Sequence, residues 1–285
     1  MGSHGTSGTD AGQQARPHLA TTQRTGLQML AALIAGSAMA GFVDAVVGGG
    51  GLILIPLLMV FLPGTPAVSA IATNKVASVS GTASATVSLL RTVRVDRRLV
   101  SVGVPIALLS AAIGALLASL MSNAVLRPIA IILLVAVGCY VALKPSFGQA
   151  VTGPHARGTK PITGGWRWAI ALIAIGIIAI YDGFFGPGTG TFLIIVLTAL
   201  LGRNFIESVT MAKIFNTSTN LGALVVFTLS GVVMWKLGII LAVANIVGAQ
   251  IGARMVITKG TGFVRAMLLV VVTVMAIKLT VDLLM

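Results

Sequence analysis

Acidic residues are scarce in this chain. Six Asp and Glu stand against nineteen Lys and Arg in 285 residues, and charged side chains make up 9% of the whole. A soluble domain carries about 25%, so this composition cannot clothe a water-facing surface. A large soluble core is excluded, and an all-α polytopic membrane protein is expected. Cysteine is nearly absent as well. The single Cys139 lies inside an apolar run, which leaves no disulfide framework and no thiolate cluster; packing is its expected role. His4, His18 and His155 lie in tails and loops without ligand spacing, so no metal site is expected. No nucleotide-binding P-loop occurs, so neither a cofactor nor direct ATP drive is expected. The formal charge of +13 does not point to nucleic acid, because the basic residues sit in short loops between apolar runs. Membrane topology places Lys and Arg there, on the cytoplasmic side.

What the chain has in abundance is apolar runs. They fall at about 27–47, 51–62, 67–90, 99–121, 124–143, 167–182, 189–201, 205–230, 237–253 and 262–284. Most reach the ~20 residues that span a bilayer. The runs at 51–62 and 189–201 do not, and each follows a glycine cluster. At about 1.5 Å per residue each crosses roughly half to two-thirds of a ~30 Å hydrocarbon core. Residues 1–25 are polar, lack the apolar stretch of a secretory signal, and are expected to form a disordered tail. Thr65-Pro66 reads as an N-cap followed by Pro at the first helical position. Asn204 with Glu207 reads as a capping box opening the 205–230 helix. Trp166 and Trp168 read as interface anchors.

The runs repeat. Slid by 138 positions, the chain aligns with itself without a gap: Asp44 falls on Asp182, Gly48 on Gly186, Gly50 on Gly188 and Gly64 on Gly202. Lys75 falls on Lys213, Gly114 on Gly252 and Arg127 on Arg265. The chain is therefore read as two homologous halves of five segments, 26–143 and 167–285, joined by a cytoplasmic loop at 144–166. Basic residues lie at 91–98 (Arg91, Arg94, Arg97, Arg98), at 144–167, and at 254–265 (Arg254, Lys259, Arg265), whereas the first-half counterpart of the last loop, 116–127, holds only Arg127. The basic side switches between the halves, which favours an inverted repeat.

Glycine- or proline-interrupted segments at matching positions of two halves are the best sequence pointer to a transporter site. Here they are "VDAVVGGGGL" at 43–52 and "YDGFFGPGTG" at 181–190. Backbone at membrane depth must be buried in protein or line a watery cavity. The half-helices that follow offer free N–H groups to an anion, which nominates Gly49, Gly50, Gly188 and Thr189 as binding residues. Lys75 and Lys213 lie nine residues into their segments, roughly 13 Å deep. Together with Asp44 and Asp182 they would cost about 2.5–3.5 kcal/mol each at a helix centre, so they must pair or line a hydrated cavity. A cationic site that attracts an anion, and two structural Asp–Lys pairs, are both open at this point, and they overlap if a pair opens for substrate. Around each lysine runs a polar stripe: Thr73, Asn74, Ser78, Ser80, Thr82 and Ser84 in one half, Thr210, Asn216, Thr217, Ser218 and Asn220 in the other. Lys75, Ser78 and Thr82 share one helix face, and Lys213, Asn216 and Asn220 share its equivalent. Asn74, Ser78 and Asn216 are nominated for substrate, and Asp44 and Asp182 for a coupling proton. The stripe is expected to line a hydrated pathway, with Asn245 and Gln250 adding to it.

The run "GGGGLILIP", the triplet "TNK", "YDGFFGPGTGTF" and "GAQIGA" at 248–253 together resemble the TauE/SafE family, the sulfite exporter family, over about residues 27–284. The resemblance implies a permease for small sulfur-containing anions such as sulfite, sulfoacetate or related organosulfonates, in the inner or plasma membrane. The tail at 1–25 is not part of the shared pattern. No catalytic residue and no enzyme activity are expected. The competing readings are an anion channel, which the sequence does not separate from a carrier, and an intramembrane aspartyl protease, whose "GxGD" motif is absent around Asp44. The expected partners are a small anion and the lipid bilayer, with a homodimer as one assembly open to it.

Overall fold

A computed structural model of the chain describes residues 10–143 and 164–258. Among the described residues there is no strand. The helices are α1 (Asp10–Val47), α2 (Gly51–Phe61), α3 (Ala67–Leu90), α4 (Arg97–Leu120), α5 (Asn123–Leu143), α6 (Trp166–Phe184), α7 (Thr189–Ile195) and α8 (Phe205–Leu229), followed by α9 (Trp235–Thr258). A wide π turn at Val196–Leu200 extends α7. The short runs expected at 51–62 and 189–201 are thus the short helices α2 and α7. The final run at 262–284 and most of the 144–166 loop lie outside the described residues.

Among the described residues, four helices are long and apolar enough to cross a membrane: Gly26–Val46 of α1, and α4, α6 and α9. The outward faces of the last three show their apolar side chains, among them Leu116 and Leu117, Ile173 and Ile177, Val243 and Val247. Helices α3 and α8 are as long, 24 and 25 residues, but too polar to join that set. They run down the interior, packed along each other, while α4 packs against both α8 and α6. Polar side chains therefore gather at the centre and apolar ones face outward, the arrangement that a lipid solvent selects.

Glycines set the close crossings. A Cβ on Gly114 of α4 would lie 2.0 Å from the Ile180 carbonyl of α6, and one on Gly252 of α9 would lie 2.6 Å from the Phe42 carbonyl of α1. Gly114 and Gly252 are repeat equivalents, and so are Phe42 and Ile180. Each crossing joins one half to the other. Small residues let backbones approach in this way where no hydrophobic force drives helices together.

Local chemistry corrects three expectations. Helix α1 reaches back to Asp10, so residues 10–25 of the segment expected as a disordered tail are helical. A helix already fixed by its membrane span gains one hydrogen bond per added residue, a contribution that composition alone does not register. Helix α3 begins at Ala67, with Pro66 rather than Thr65 as its N-cap residue. Its first amide is capped from elsewhere: the Ala67 N–H donates to Asn123 Oδ1 at 2.8 Å. The polar residues of α9 are structural: Asn245 Nδ2 donates to the Ser37 carbonyl, and Gln250 bonds Ser84 and Ser88. Half of the capping box at α8 is present, the Glu207 N–H donating to Asn204 Oδ1 at 2.9 Å, while the Glu207 carboxylate accepts from Arg203 Nη1 at 3.1 Å.

Candidate functional site

The site begins with two broken helices. The chain leaves α1 after Val47 and restarts at Gly51; it leaves α6 after Phe184 and restarts at Thr189. Gly48, at φ +86°, and Gly186, at φ +104°, make the two turns from the left-handed region that favours glycine. The breaks touch. The Gly190 N–H donates to the Gly48 carbonyl at 3.3 Å, and a Cβ on Gly48 would lie 2.4 Å from Gly190 Cα.

Two lysines cross between the halves to reach these breaks. Lys75 Nζ, on α3, donates to Asp182 Oδ1 at 3.0 Å, to the Asp182 carbonyl at 2.6 Å and to Asn220 Oδ1 at 3.1 Å. Lys213 Nζ, on α8, donates to Asp44 Oδ2 at 3.1 Å and to the Asp44 carbonyl. Both lysines are 1% exposed. A buried charge left alone costs several kcal/mol, and pairing with additional hydrogen bonds offsets most of that. Each ammonium also donates to a backbone carbonyl at its helix break; the Asp44 carbonyl accepts from the Gly48 N–H at 2.8 Å as well.

Between the pairs lies a polar cavity lined by Asp44, Gly48, Gly51, Asn74, Lys75, Ser78, Asp182, Gly186, Asn216 and Asn220. It is narrow, with room for about one water at most. Asn74 is 3% exposed and its Oδ1 has no hydrogen-bond partner among the described residues.

The sequence of this chain matches the family "Sulfite exporter TauE/SafE" over residues 33–279. The chain belongs to the TauE/SafE family. It is 35% identical over 263 residues to "Probable membrane transporter protein ORF9" of Sinorhizobium sp, an alignment covering 91% of this chain and 95% of that one. It is 35% identical over 244 residues to "Probable membrane transporter protein YfcA" of Escherichia coli K12, covering 86% and 87%. A "Probable membrane transporter protein" of Haemophilus influenzae is 33% identical over 257 residues, covering 90% and 96%. No solved structure matches the chain. The protein is a multi-pass membrane transporter of the TauE/SafE family.

In this TauE/SafE chain the residues nominated from sequence separate into three groups. Asp44, Asn74, Lys75, Ser78, Asp182 and Asn216 line the cavity. Lys213 does not line the cavity; it pairs with Asp44, which does. Gly49, Gly50, Gly188 and Thr189 are engaged inside the breaks: the Gly49 and Gly188 carbonyls accept from the following turn, the Gly50 N–H donates to Asp44 Oδ1 at 3.3 Å, and the Thr189 hydroxyl bonds Asp182 Oδ1 and the Gly186 carbonyl. The glycines that do line the cavity are Gly48, Gly51 and Gly186.

Sequence reasoning missed Thr219, whose hydroxyl donates to Asp182 Oδ2. Its place beside Asn216 and Asn220 on the polar side of α8 was the available signal. The polar stripe is narrower as a pathway than expected. Ser80, Thr82, Thr217 and Ser218 donate back to carbonyls of their own helices, and Thr86 meets Thr217 to tie α3 to α8.

A second ionic cluster sits away from the cavity. Asp96 caps α4 through the Arg98 and Leu99 amides and is paired with Arg203, which also holds Glu207 at 3.1 Å. Burial works against ionisation of Asp96, but the Leu99 amide, the Arg203 guanidinium and the Arg98 amide together outweigh it and hold the carboxyl below its ordinary value. The cluster joins the first turns of α4 and α8. Beside it the Arg98 guanidinium lies 5.7 Å from the ring centroid of Trp168.

Proposed function

We propose that the protein is a secondary transporter of a small sulfur-containing anion, sulfite or an organosulfonate, working by alternating access between two inverted halves in the inner or plasma membrane. The observation that supports it most is the crossed pairing of Lys75 with Asp182 and of Lys213 with Asp44 around one cavity. Each lysine belongs to one half and each partner carboxylate to the other, so relative movement of the halves must work on both pairs. The cavity is nearly filled with its ion pairs closed, which fits a carrier awaiting cargo better than an open pore. An anion binds by replacing a carboxylate at a lysine. If that carboxylate takes up a proton as it leaves, the site gains one proton with the anion, and its charge is unchanged for a singly charged cargo such as hydrogen sulfite. Asp44 and Asp182 are the carboxylates available for that step. Asn74 Oδ1 supplies an acceptor beside the cationic groups, which suits an oxyanion carrying its own hydrogen, such as hydrogen sulfite, or one bound with a water. Ser78 and Asn216, equivalent positions of the two halves, contact the cargo from opposite sides. A homodimer is the proposed assembly.

The test is flux of sulfite and of sulfoacetate across proteoliposomes that hold the purified protein, beside folded Lys75→Ala and Lys213→Ala variants. Wild-type flux that both variants lose supports the reading. Flux of other anions but of neither sulfur compound removes the sulfur assignment, and flux that survives in both variants removes the lysine site.

A further inference from the structure

The two ion pairs occupy equivalent places in the repeat, yet their surroundings differ. Lys75 has an acceptor for each of its three protons: both oxygen types of Asp182 and the side chain of Asn220. Asp182 in turn accepts from the Thr189 hydroxyl at 3.0 Å and from the Thr219 hydroxyl. Its side chain is 3% exposed. Three side chains therefore brace this pair. At their repeat equivalents stand Gly51, Gly81 and Thr82. Gly51 and Gly81 have no side chain to offer. A Cβ on Gly81 would in any case lie 1.9 Å from Asn245 Oδ1. Thr82 donates to the Ser78 and Val79 carbonyls of its own helix. Among the described residues, Lys213 is left with one carboxylate oxygen and the carbonyl of Asp44; the Asp44 carboxylate has besides it the Gly50 amide at 3.3 Å, and its carbonyl the Gly48 amide at 2.8 Å. The Asp44 side chain is 14% exposed and faces the cavity.

We propose that the two pairs divide the work: Lys75–Asp182 is a fixed clasp that holds the second break, and Lys213–Asp44 is the pair that opens for cargo. This rests on the anion-transport reading above. Asp44 swings away from Lys213, the cargo anion takes the ammonium, and the coupling proton rides on the Asp44 carboxylate. The charged groups around Asp44 are Lys213 from α8 and, across the cavity, Lys75 from α3 and Asp182 from α6. Helix α9 meets this end of α1 with Ala249 and Ala253, and the start of α2 offers the Gly50 amide. With Lys75 and Asp182 satisfied by each other, Lys213 is the group that sets the charge state of Asp44, and its capture by an anion is what lets Asp44 take a proton.

The experiment compares thermal unfolding in detergent with sulfite flux at several pH values in proteoliposomes, using the full chain. Asp182→Asn is expected to lower the unfolding temperature by about 5 °C or more, whereas Asp44→Asn shifts it less and flattens the pH dependence of flux. Gly51→Thr restores a hydroxyl beside Asp44; its Cβ finds only ordinary contacts, 3.5 Å to Ile55 and 3.6 Å to Pro187. It is expected to raise the unfolding temperature and slow flux several-fold. Thr219→Val, which removes one brace at nearly constant shape, is expected to lower the unfolding temperature with the pH profile of flux intact. Equal unfolding losses in Asp44→Asn and Asp182→Asn, or a pH profile moved by Thr219→Val and not by Asp44→Asn, would overturn the division. A wild type that moves no sulfite would remove the cargo reading, while the two unfolding temperatures would still decide which pair is the clasp.

Discussion

The breaks at 44–51 and 182–189 carry the same plan with different reinforcement. Both have an aspartate, a glycine at positive φ four residues later, and a lysine arriving from the other half. Only the second has hydroxyls and an amide that lock the pair in place. The shared plan follows from the bilayer: a buried ammonium is costly alone, and here its charge is answered by the aspartate at the break while it donates to that residue's carbonyl. The difference lies in residues with no role in making the break. Two breaks with the same glycine and aspartate plan can thus share their geometry and still differ in the side chains that bond to each pair.

Removing one member of the braced pair should have the largest effect. Lys75→Ala leaves Asp182 buried and uncompensated, and a loss of about 3–5 kcal/mol is expected, measured as unfolding temperature in detergent. Lys213→Ala should cost less, about 1.5–3 kcal/mol, because Asp44 is partly exposed and has fewer bonds to lose; a larger loss than that of Lys75→Ala would invert the comparison. The glycines should behave alike in both halves. Gly48→Ala and Gly186→Ala each place a Cβ in the left-handed region, 2.4 Å from Gly190 Cα in one case and 2.6 Å from Asp182 Oδ1 in the other. Each should cost about 1–3 kcal/mol, and a clear inequality between them would show that the breaks differ in more than their bracing.

The smallest effect is expected outside the site. The Asp96 carboxyl is held below its ordinary value, so its contribution is fully present above that value and is lost as the pH falls through the lowered one. Stability measured between about pH 5 and pH 2 should therefore fall less in Asp96→Asn than in wild type. An identical acid profile in the two proteins would assign the acid loss to other carboxylates.

Much of this was legible in the sequence because the bilayer makes rare residues expensive. Asp44, Asp182, Lys75 and Lys213 stood out among apolar neighbours, and their matched spacing is what suggested a repeat. The segment limits of α3 and α8 followed the apolar runs to within a residue or two, while α1 began well before its run. What spacing does not carry is which half answers which: nothing in the sequence says that Lys75 meets Asp182 rather than Asp44. The cap that Asn123 gives to α3 and the tie from Arg203 to Asp96 were hidden for the same reason, since each partner is remote along the chain. The hydroxyl stripe misled in the other direction. Ser and Thr on a helix are polar by composition, but a bond to the preceding turn satisfies them without any pathway. Of the stripe, Asn74, Ser78, Asn216 and Asn220 line the cavity.

The most direct test of the central claim, that an anion is exchanged for the Asp44 carboxylate at Lys213, is sulfite uptake into proteoliposomes under an imposed inward proton gradient at zero membrane potential. Wild type should accumulate sulfite under the gradient, and Asp44→Asn should equilibrate sulfite without accumulating it. Accumulation by Asp44→Asn equal to that of wild type would contradict the account.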